Sequence, residues 1–259
     1  MFAKKSLGQN FLMHRQTAER IVAAADLPAD ATVLEIGPGR GMLTRALLER
    51  AGKVVAVEAD ASLISELEET FAAELAGGKL ELVSGDIRAF DASALPEDYH
   101  LVANIPYYLT GELLRSFLAG AHKPASMTFL VQKEVAERVA RSEKESLLSI
   151  AVKAYGTPKC MFTVPRGAFV PAPNVDSAVL HISSISGAHF DTTKDEERFF
   201  DIVRAGFAHK RKQLAKNLEG EAPRTAVLEA LESLALPSDV RAEDVPLASW
   251  LALSKRLSN

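Results

Sequence analysis

Residues 32–36, Thr32-Val33-Leu34-Glu35-Ile36, run straight into Gly37-Pro38-Gly39-Arg40-Gly41, and Met42, Leu43, Ala46, Leu47 and Leu48 follow at helical spacing. A short apolar run bounded by glycine reads as a buried strand, and the periodic residues after it read as a helix. Strand, glycine turn and helix form the opening unit of a doubly wound sheet. The pattern then repeats. Residues 53–58, 79–83, 100–103 and 127–131 read as further strands. Leu63, Ile64, Leu67, Phe71 and Leu75 give one helical stripe, and Leu113, Leu114, Phe117 and Leu118 give another. Such alternation predicts an α/β fold whose ligand lies at the carboxyl ends of the strands.

The glycines let a ligand approach the backbone without meeting a Cβ. Their spacing is G-x-G-x-G, whereas dinucleotide sites use G-x-G-x-x-G. Pro38 also lacks the N–H that a pyrophosphate would use. These features predict a nucleoside ligand without phosphate, of which S-adenosylmethionine is the common one; a turn made only for packing is the competing explanation. Glu58 ends the second strand, 21 residues after Gly37, the place of an acid that binds ribose hydroxyls. Asp86 follows the third strand, where it could accept an adenine amino group with Ile87 packed on the ring. A helix N-cap would explain Asp86 equally well.

Asn104-Ile105-Pro106-Tyr107-Tyr108 stands at the end of the fourth strand. The Asn104 amide and the Ile105 backbone each offer an acceptor oxygen. Together they can hold an exocyclic NH2 group, and a tyrosine beside them offers a stacking face. An amino group conjugated to an aromatic ring is a poor nucleophile, and acceptors on its hydrogens return the lone pair to nitrogen. A plain turn with two surface tyrosines remains open on this motif alone.

Further on, residues 159–164 and 178–182 read as a closing pair of strands around a loop with Pro165, Pro171 and Pro173. Prolines lower the entropy lost in presenting a side chain. Phe169, the large aromatic of that loop, is read as a second stacking face opposite Tyr107, against the alternative of a core residue. The polar stretch 183–189 marks a boundary, giving residues 1–185 as a catalytic domain and 186–259 as a small all-helical one. In the tail, Arg204, His209, Lys210, Arg211 and Lys212 form a basic cluster, with no acid between Arg204 and Asn217. Basic residues near an aromatic suit an RNA backbone. Lys4 and Lys5 add positive charge in an N-terminal arm; a frayed chain end is the commoner case, and the functional reading is an arm that folds over a ligand and touches phosphate.

The net charge of −4 argues mildly against a nucleic-acid partner, though its distribution matters more. One cysteine, Cys160, excludes a disulfide framework and a cysteine zinc site. The N-terminus does not read as a signal peptide, and no apolar run nears membrane-spanning length, so a cytoplasmic protein without membrane contact is expected.

Taken together, Gly8-Gln9-Asn10-Phe11-Leu12, Leu34-Glu35-Ile36-Gly37-Pro38-Gly39-Arg40-Gly41, Glu58, Gly85-Asp86, Asn104-Ile105-Pro106-Tyr107 and the run from Phe169 to Ser177 resemble the rRNA adenine N6-dimethyltransferase family. The motifs cover the chain to about residue 180 in family order. The resemblance implies a Rossmann-like class I S-adenosylmethionine-dependent methyltransferase fold with a helical C-terminal domain. It implies cofactor contacts from Asn10, Leu12, Gly37, Gly39, Glu58, Asp86 and Asn104, with S-adenosylhomocysteine as product. It places the target amino group against Asn104 and Ile105, in the turn fixed by Pro106, and the base on Tyr107 and Phe169. No metal is expected. The housekeeping branch is the better match, implying dimethylation of two adjacent adenosines in a hairpin near the 3′ end of small-subunit (16S) rRNA, on the immature 30S subunit, by a monomer. Ile105 stands where the family usually has Leu, and only its carbonyl enters the chemistry. The competing readings are a resistance-type methylase of large-subunit rRNA, an amino-methylase of DNA or of protein glutamine, and a non-catalytic assembly factor.

Overall fold

The computed structural model describes residues 9–258; Lys4 and Lys5 lie outside that range. A two-residue strand β1 (Phe11–Leu12) and helix α1 (Arg15–Ala24) come first. Then follow β2 (Thr32–Ile36), α2 (Met42–Leu48), β3 (Lys53–Glu58), α3 (Ala61–Thr70), α4 (Ala72–Ala76), β4 (Leu80–Ser84), β5 (His100–Ala103), α5 (Thr110–Ala119) and β6 (Ser126–Gln132). Helices α6 (Lys133–Ala140) and α7 (Leu147–Lys153) precede β7 (Thr157–Val164), β8 (Phe169–Val170) and β9 (Ser177–Ser183). The remainder is helical: α8 (Thr193–Gly206), α9 (Leu214–Asn217), α10 (Arg224–Ser233) and α11 (Leu247–Leu257).

The main sheet has seven strands in the order β4-β3-β2-β5-β6-β9-β7. The first five of the seven strands read from the sequence, β2 to β6, form its parallel part, and β9 joins β6 antiparallel. Val33 and Leu34, or Val54 and Val55, are buried as adjacent pairs. A parallel sheet covered on both faces buries neighbouring residues alike, which is why these strands read as unbroken apolar runs.

The stripe from Leu63 to Leu75 is not one helix. It breaks at Phe71, which has φ −116° and ψ 28° and separates α3 from α4. The Phe71 ring lies where a Cβ on Gly41 would stand, and Gly41 has φ +76°. Packing against the glycine turn therefore overrides helical continuity. The other elements missed by sequence are β1 and β8, which pair with each other over two residues. Two residues carry no readable period.

The chain folds as two compact units. One holds the described residues up to Ala136 with Pro158–Ile185; the other holds Glu137–Thr157 with the described residues from Ser186. Residues 137–157 were expected in the first domain but cluster with the helical one. Tyr155 stacks on Phe200 at 5.7 Å and bonds Glu196 through its hydroxyl, and Ser186 N donates to Tyr155 O at 2.8 Å. Lys144 pairs with Glu243 at 2.5 Å. Local periodicity shows that this segment is helical but not which core receives it. The helical unit buries Trp250 against Phe207, and Gly206 lies under the indole ring. Among the described residues, no helix is long and apolar enough to cross a membrane.

Glu35 lies wholly buried in β2, and its carboxyl has no hydrogen-bond partner among the described residues. Burial pushes its pKa up to about 8; the Thr44 hydroxyl, close but outside hydrogen-bonding geometry, opposes this in part, and Glu58 adds a further push. The raised pKa means that the folded chain holds a proton which the unfolded chain releases near the ordinary Glu value. The contribution to stability is thus complete below about pH 4.5 and is lost as pH rises to about 8. Urea unfolding should show Glu35→Gln close to the native protein at pH 5 and more stable at pH 8.5, by a few kcal/mol. Equal midpoints at pH 8.5 would contradict a neutral buried carboxyl. Gly41→Ala should cost roughly 2–4 kcal/mol in the same assay, from the left-handed backbone plus overpacking on Phe71.

Candidate active site

From β2 the chain turns to β3 and β4 on one side of the sheet; from β5 it turns to β6 on the other. The loops after β2 and β5 therefore part, and a cleft opens between them at their carboxyl ends. Gly37, Gly39 and Glu58 line it from one side, Asn104 and Tyr107 from the other, with Asp86 also on its wall. The described part of the N-terminal arm, from Gln9 to Leu12, completes the lining.

Gly37 and Gly39 have φ of +67° and +59°. A Cβ on Gly39 would come within 3.0 Å of the Phe11 ring, so the turn and the arm pack directly. Arg40 lies 5.0 Å from the centre of that ring. Glu58 is buried, and each of its oxygens accepts a main-chain N–H: Gly39 N at 3.0 Å and Asp60 N at 2.8 Å. Burial raises its pKa, and these two bonds act against that rise. One carboxylate thus fixes both the glycine turn and the start of α3. Each carboxylate oxygen has two lone pairs, so the carboxylate keeps acceptor capacity beyond these two bonds.

Asp86 faces the cleft but is already engaged. Its oxygens accept from Arg88 N at 2.9 Å, from Arg88 Nε at 3.0 Å to each oxygen, and from Arg88 Nη2 at 2.5 Å. The Arg88 side chain holds its pKa down at about 2. Asp86 thus caps a short 3-10 turn, as the capping alternative has it, and also lines the cleft. An adenine amino group has to share this carboxylate with Arg88 or displace it. Sequence reading missed Arg88; the only signal was a cation two residues beyond the acid.

Asn104 is oriented from outside its own loop. Its Nδ2 donates to the Asn10 carbonyl at 3.2 Å. The partner is an acceptor only, so the NH2 side of the amide must face the arm. Oδ1 is thereby left as the acceptor on the other side. Gln9 Nε2 donates to Asp60 at 3.1 Å, which ties the arm to the start of α3. Ile105 is buried and pins the turn, Pro106 precedes a single 3-10 turn, and Tyr107 opens that turn. The Tyr107 hydroxyl lies 2.7 Å from Ser177 Oγ in β9. Burial raises the Tyr107 pKa and the Ser177 bond opposes it. Tyr108, the second tyrosine of the motif, also lines the cleft and is 66% exposed.

Phe169, read as a second stacking face, is not among the residues that line the cleft. It is 2% exposed and belongs to the hydrophobic core with Leu12 and Val179. The register explains this. Leu12 pairs with Phe169 and Phe11 with Val170 across β1 and β8. Directly opposed residues share a face, so burying Leu12 buries Phe169 as well, while Val170 is exposed. In the helical unit, His209, Lys210, Arg211 and Lys212 are exposed on the turn after α8. Asn217 Nδ2 supports that turn by donating to Gly206 O at 2.5 Å and His209 O at 3.2 Å. Arg204 pairs with Asp201 at 2.5 Å, an acid one turn upstream of the stretch read as acid-free.

A cleft at a sheet switch point, a glycine turn braced by a carboxylate and an oriented amide at a neighbouring strand end fit a nucleoside-type cofactor and an amino-group substrate. Comparison with known proteins agrees. The family model for ribosomal RNA adenine dimethylase matches residues 2–259. The chain is 40% identical over 259 residues to the ribosomal RNA small subunit methyltransferase A of Dehalococcoides mccartyi (strain CBDB1), covering 97% of this chain and 87% of the relative. It is 40% identical over 263 residues to that of Deinococcus radiodurans, covering 98% and 85%. Among solved structures, a dimethyladenosine transferase from Plasmodium falciparum superposes with a TM-score of 0.80 at 26% identity, covering 94% of this chain and 95% of that one. The 23S rRNA methyltransferase ErmE gives 0.76 at 28% identity, covering 96% and 100%. The fold is that of the class I methyltransferases, and the chain belongs to the ribosomal RNA adenine dimethylase family, whose members depend on S-adenosylmethionine.

Proposed function

We propose that the protein dimethylates N6 of two adjacent adenosines in a hairpin near the 3′ end of small-subunit rRNA, acting on the immature 30S subunit. The observation that carries the reading is the Asn104 amide, turned by Asn10 so that its oxygen is available beside the Ile105 carbonyl. The choice of subunit is supported by identities of 35–40% with small-subunit methyltransferases, against 28% with ErmE.

The residues present fit S-adenosylmethionine. The turn at Gly37 and Gly39 has no Cβ to fill the approach, Glu58 keeps acceptors for ribose hydroxyls, and Asp86 stands where an adenine amino group can be read. Asn10 and Leu12 close the methionine end. When bound, this cofactor supplies a methyl group on a sulfonium centre. The chain's own part is to hold and orient the acceptor. Asn104 Oδ1 and the Ile105 carbonyl accept hydrogen bonds from the two N–H groups of the adenine amino group and draw its lone pair out of the ring. Tyr107 gives the base a face. Extracting a base costs a few kcal/mol, and one aromatic stack returns roughly 1–3 kcal/mol, so Tyr107 offsets much of that cost. Positioning alone can supply roughly 7–11 kcal/mol of a barrier, enough to be the main contribution. With Phe169 in the core, the loop's aromatic supports the arm from beneath and stacking falls to Tyr107. The basic turn Lys210-Arg211-Lys212 provides phosphate contacts; the net acidity of the chain implies that the assembled subunit supplies the rest of the grip.

Asn104→Ala should lower methyl transfer from labelled S-adenosylmethionine into immature small subunits by about 10²–10³-fold, the usual cost of losing a preorganised polar contact. Calorimetry should still detect cofactor binding to that variant. Undiminished incorporation would remove the role given to the amide. Glu58→Ala should weaken cofactor binding by about 10–100-fold, since a charged acceptor contributes roughly 1.5–3 kcal/mol. Mass spectrometry of rRNA from cells with and without the protein decides the substrate: loss of dimethyladenosine from the large subunit instead of the small one would transfer the assignment to the resistance-type activity.

A further inference from the structure

We propose that Ser177 is a positioning residue for the target base, acting through the hydroxyl of Tyr107. The inference rests on the proposed function, because it assumes that Tyr107 receives a base. Its starting point is a tie between distant parts of the chain: Tyr107 Oη and Ser177 Oγ lie 2.7 Å apart with 70 residues between them. Ser177 is 0% exposed and pairs with Gln132 across β6 and β9, so its place is set by the main sheet. Tyr107 has no such support of its own. It stands in a three-residue 3-10 turn after Pro106, and no side chain caps that turn. A tyrosine held only at its Cβ end can tilt about χ1 and χ2. Held also at the hydroxyl, it presents a fixed plane.

The segment before Ser177 is braced as well. Asp176 Oδ1 accepts Arg166 N at 2.9 Å, and the Asp176 carbonyl accepts Lys133 N at 3.0 Å. The proline-rich loop thus ends on a serine that the fold delivers to the far end of the Tyr107 ring. This gives the loop a use that the burial of Phe169 had removed. The angle of the stacking plane sets where N6 lies relative to Asn104 Oδ1. Tilting the plane misplaces the nucleophile without touching the cofactor. Misplacement by about 1 Å can cost on the order of 10²-fold in rate.

The test is a double-mutant cycle of Tyr107→Phe and Ser177→Ala, which remove the two hydroxyls and leave the ring. Methyl transfer is measured on immature small subunits from cells lacking the modification, with cofactor affinity by calorimetry and stability by urea unfolding. Each single variant should lose about 10-fold or more in kcat. Cofactor Kd should be unchanged, and the double variant no worse than either single one. Additive losses, or a fall in rate that tracks cofactor affinity or the urea midpoint, would reduce Ser177 to packing and overturn the inference. So would unchanged kcat in both single variants. Native protein that fails to methylate the subunits at all would sink the parent reading, and this inference with it; native activity with undiminished kcat in both single variants sinks this inference alone.

Discussion

The constraint on which the site depends is the divergence of β2 and β5, neighbours in the sheet whose following loops lead in opposite directions. A sheet with this switch has an opening at that point because no connection crosses it. The residues proposed to hold cofactor and acceptor sit on its rim. The glycine turn comes from the end of β2, Glu58 from the end of β3, Asp86 from just past β4 and Asn104 from just past β5. Each polar group ends an apolar strand, so the strands set the spacing and the side chains supply only type.

What converts these strand ends into a precise site is a second set of contacts from other parts of the chain. Glu58 holds the main chain at Gly39 and Asp60. The arm fixes the Asn104 amide through a single carbonyl. Strand β1 binds β8, and Met13 N adds a bond to Ala168 O at 2.9 Å. The arm and the proline-rich loop are therefore joined in one ribbon, and the Asn104–Tyr107 turn is held at both ends: by Asn10 of the arm at the amide, and by Ser177, the first residue of β9 after that loop, at the phenol. Preorganised dipoles are worth more in catalysis than mobile ones because they need no rearrangement during reaction. A small ribbon far apart in sequence supplies that order here.

The helical unit follows a different logic. Its core is aromatic, with Tyr155, Phe190, Phe199 and Phe200 in mutual contact and Trp250 over Gly206. The basic turn sits at the end of α8, where a glycine admits the indole and Asn217 bonds two carbonyls. Charge is thus concentrated on a short, internally braced turn in a chain with net charge −4. Phosphate contacts position a nucleic acid without reading its sequence.

By itself the sequence determined the sheet and the kinds of group at its rim. Unbroken apolar runs and a glycine turn are local signals: Val33 and Leu34 are apolar together because both faces of the sheet are covered, and Gly41 is glycine because its backbone is left-handed. The tertiary structure alone decided which side chains face one another. The break at Phe71, the burial of Phe169, the capture of residues 137–157 by the helical unit and the Tyr107–Ser177 bond each depend on a partner remote in sequence or on the register of a two-residue strand. Periodicity reports how a segment meets a core, but not which residues of that core it meets, because one hydrophobic face is compatible with many partners.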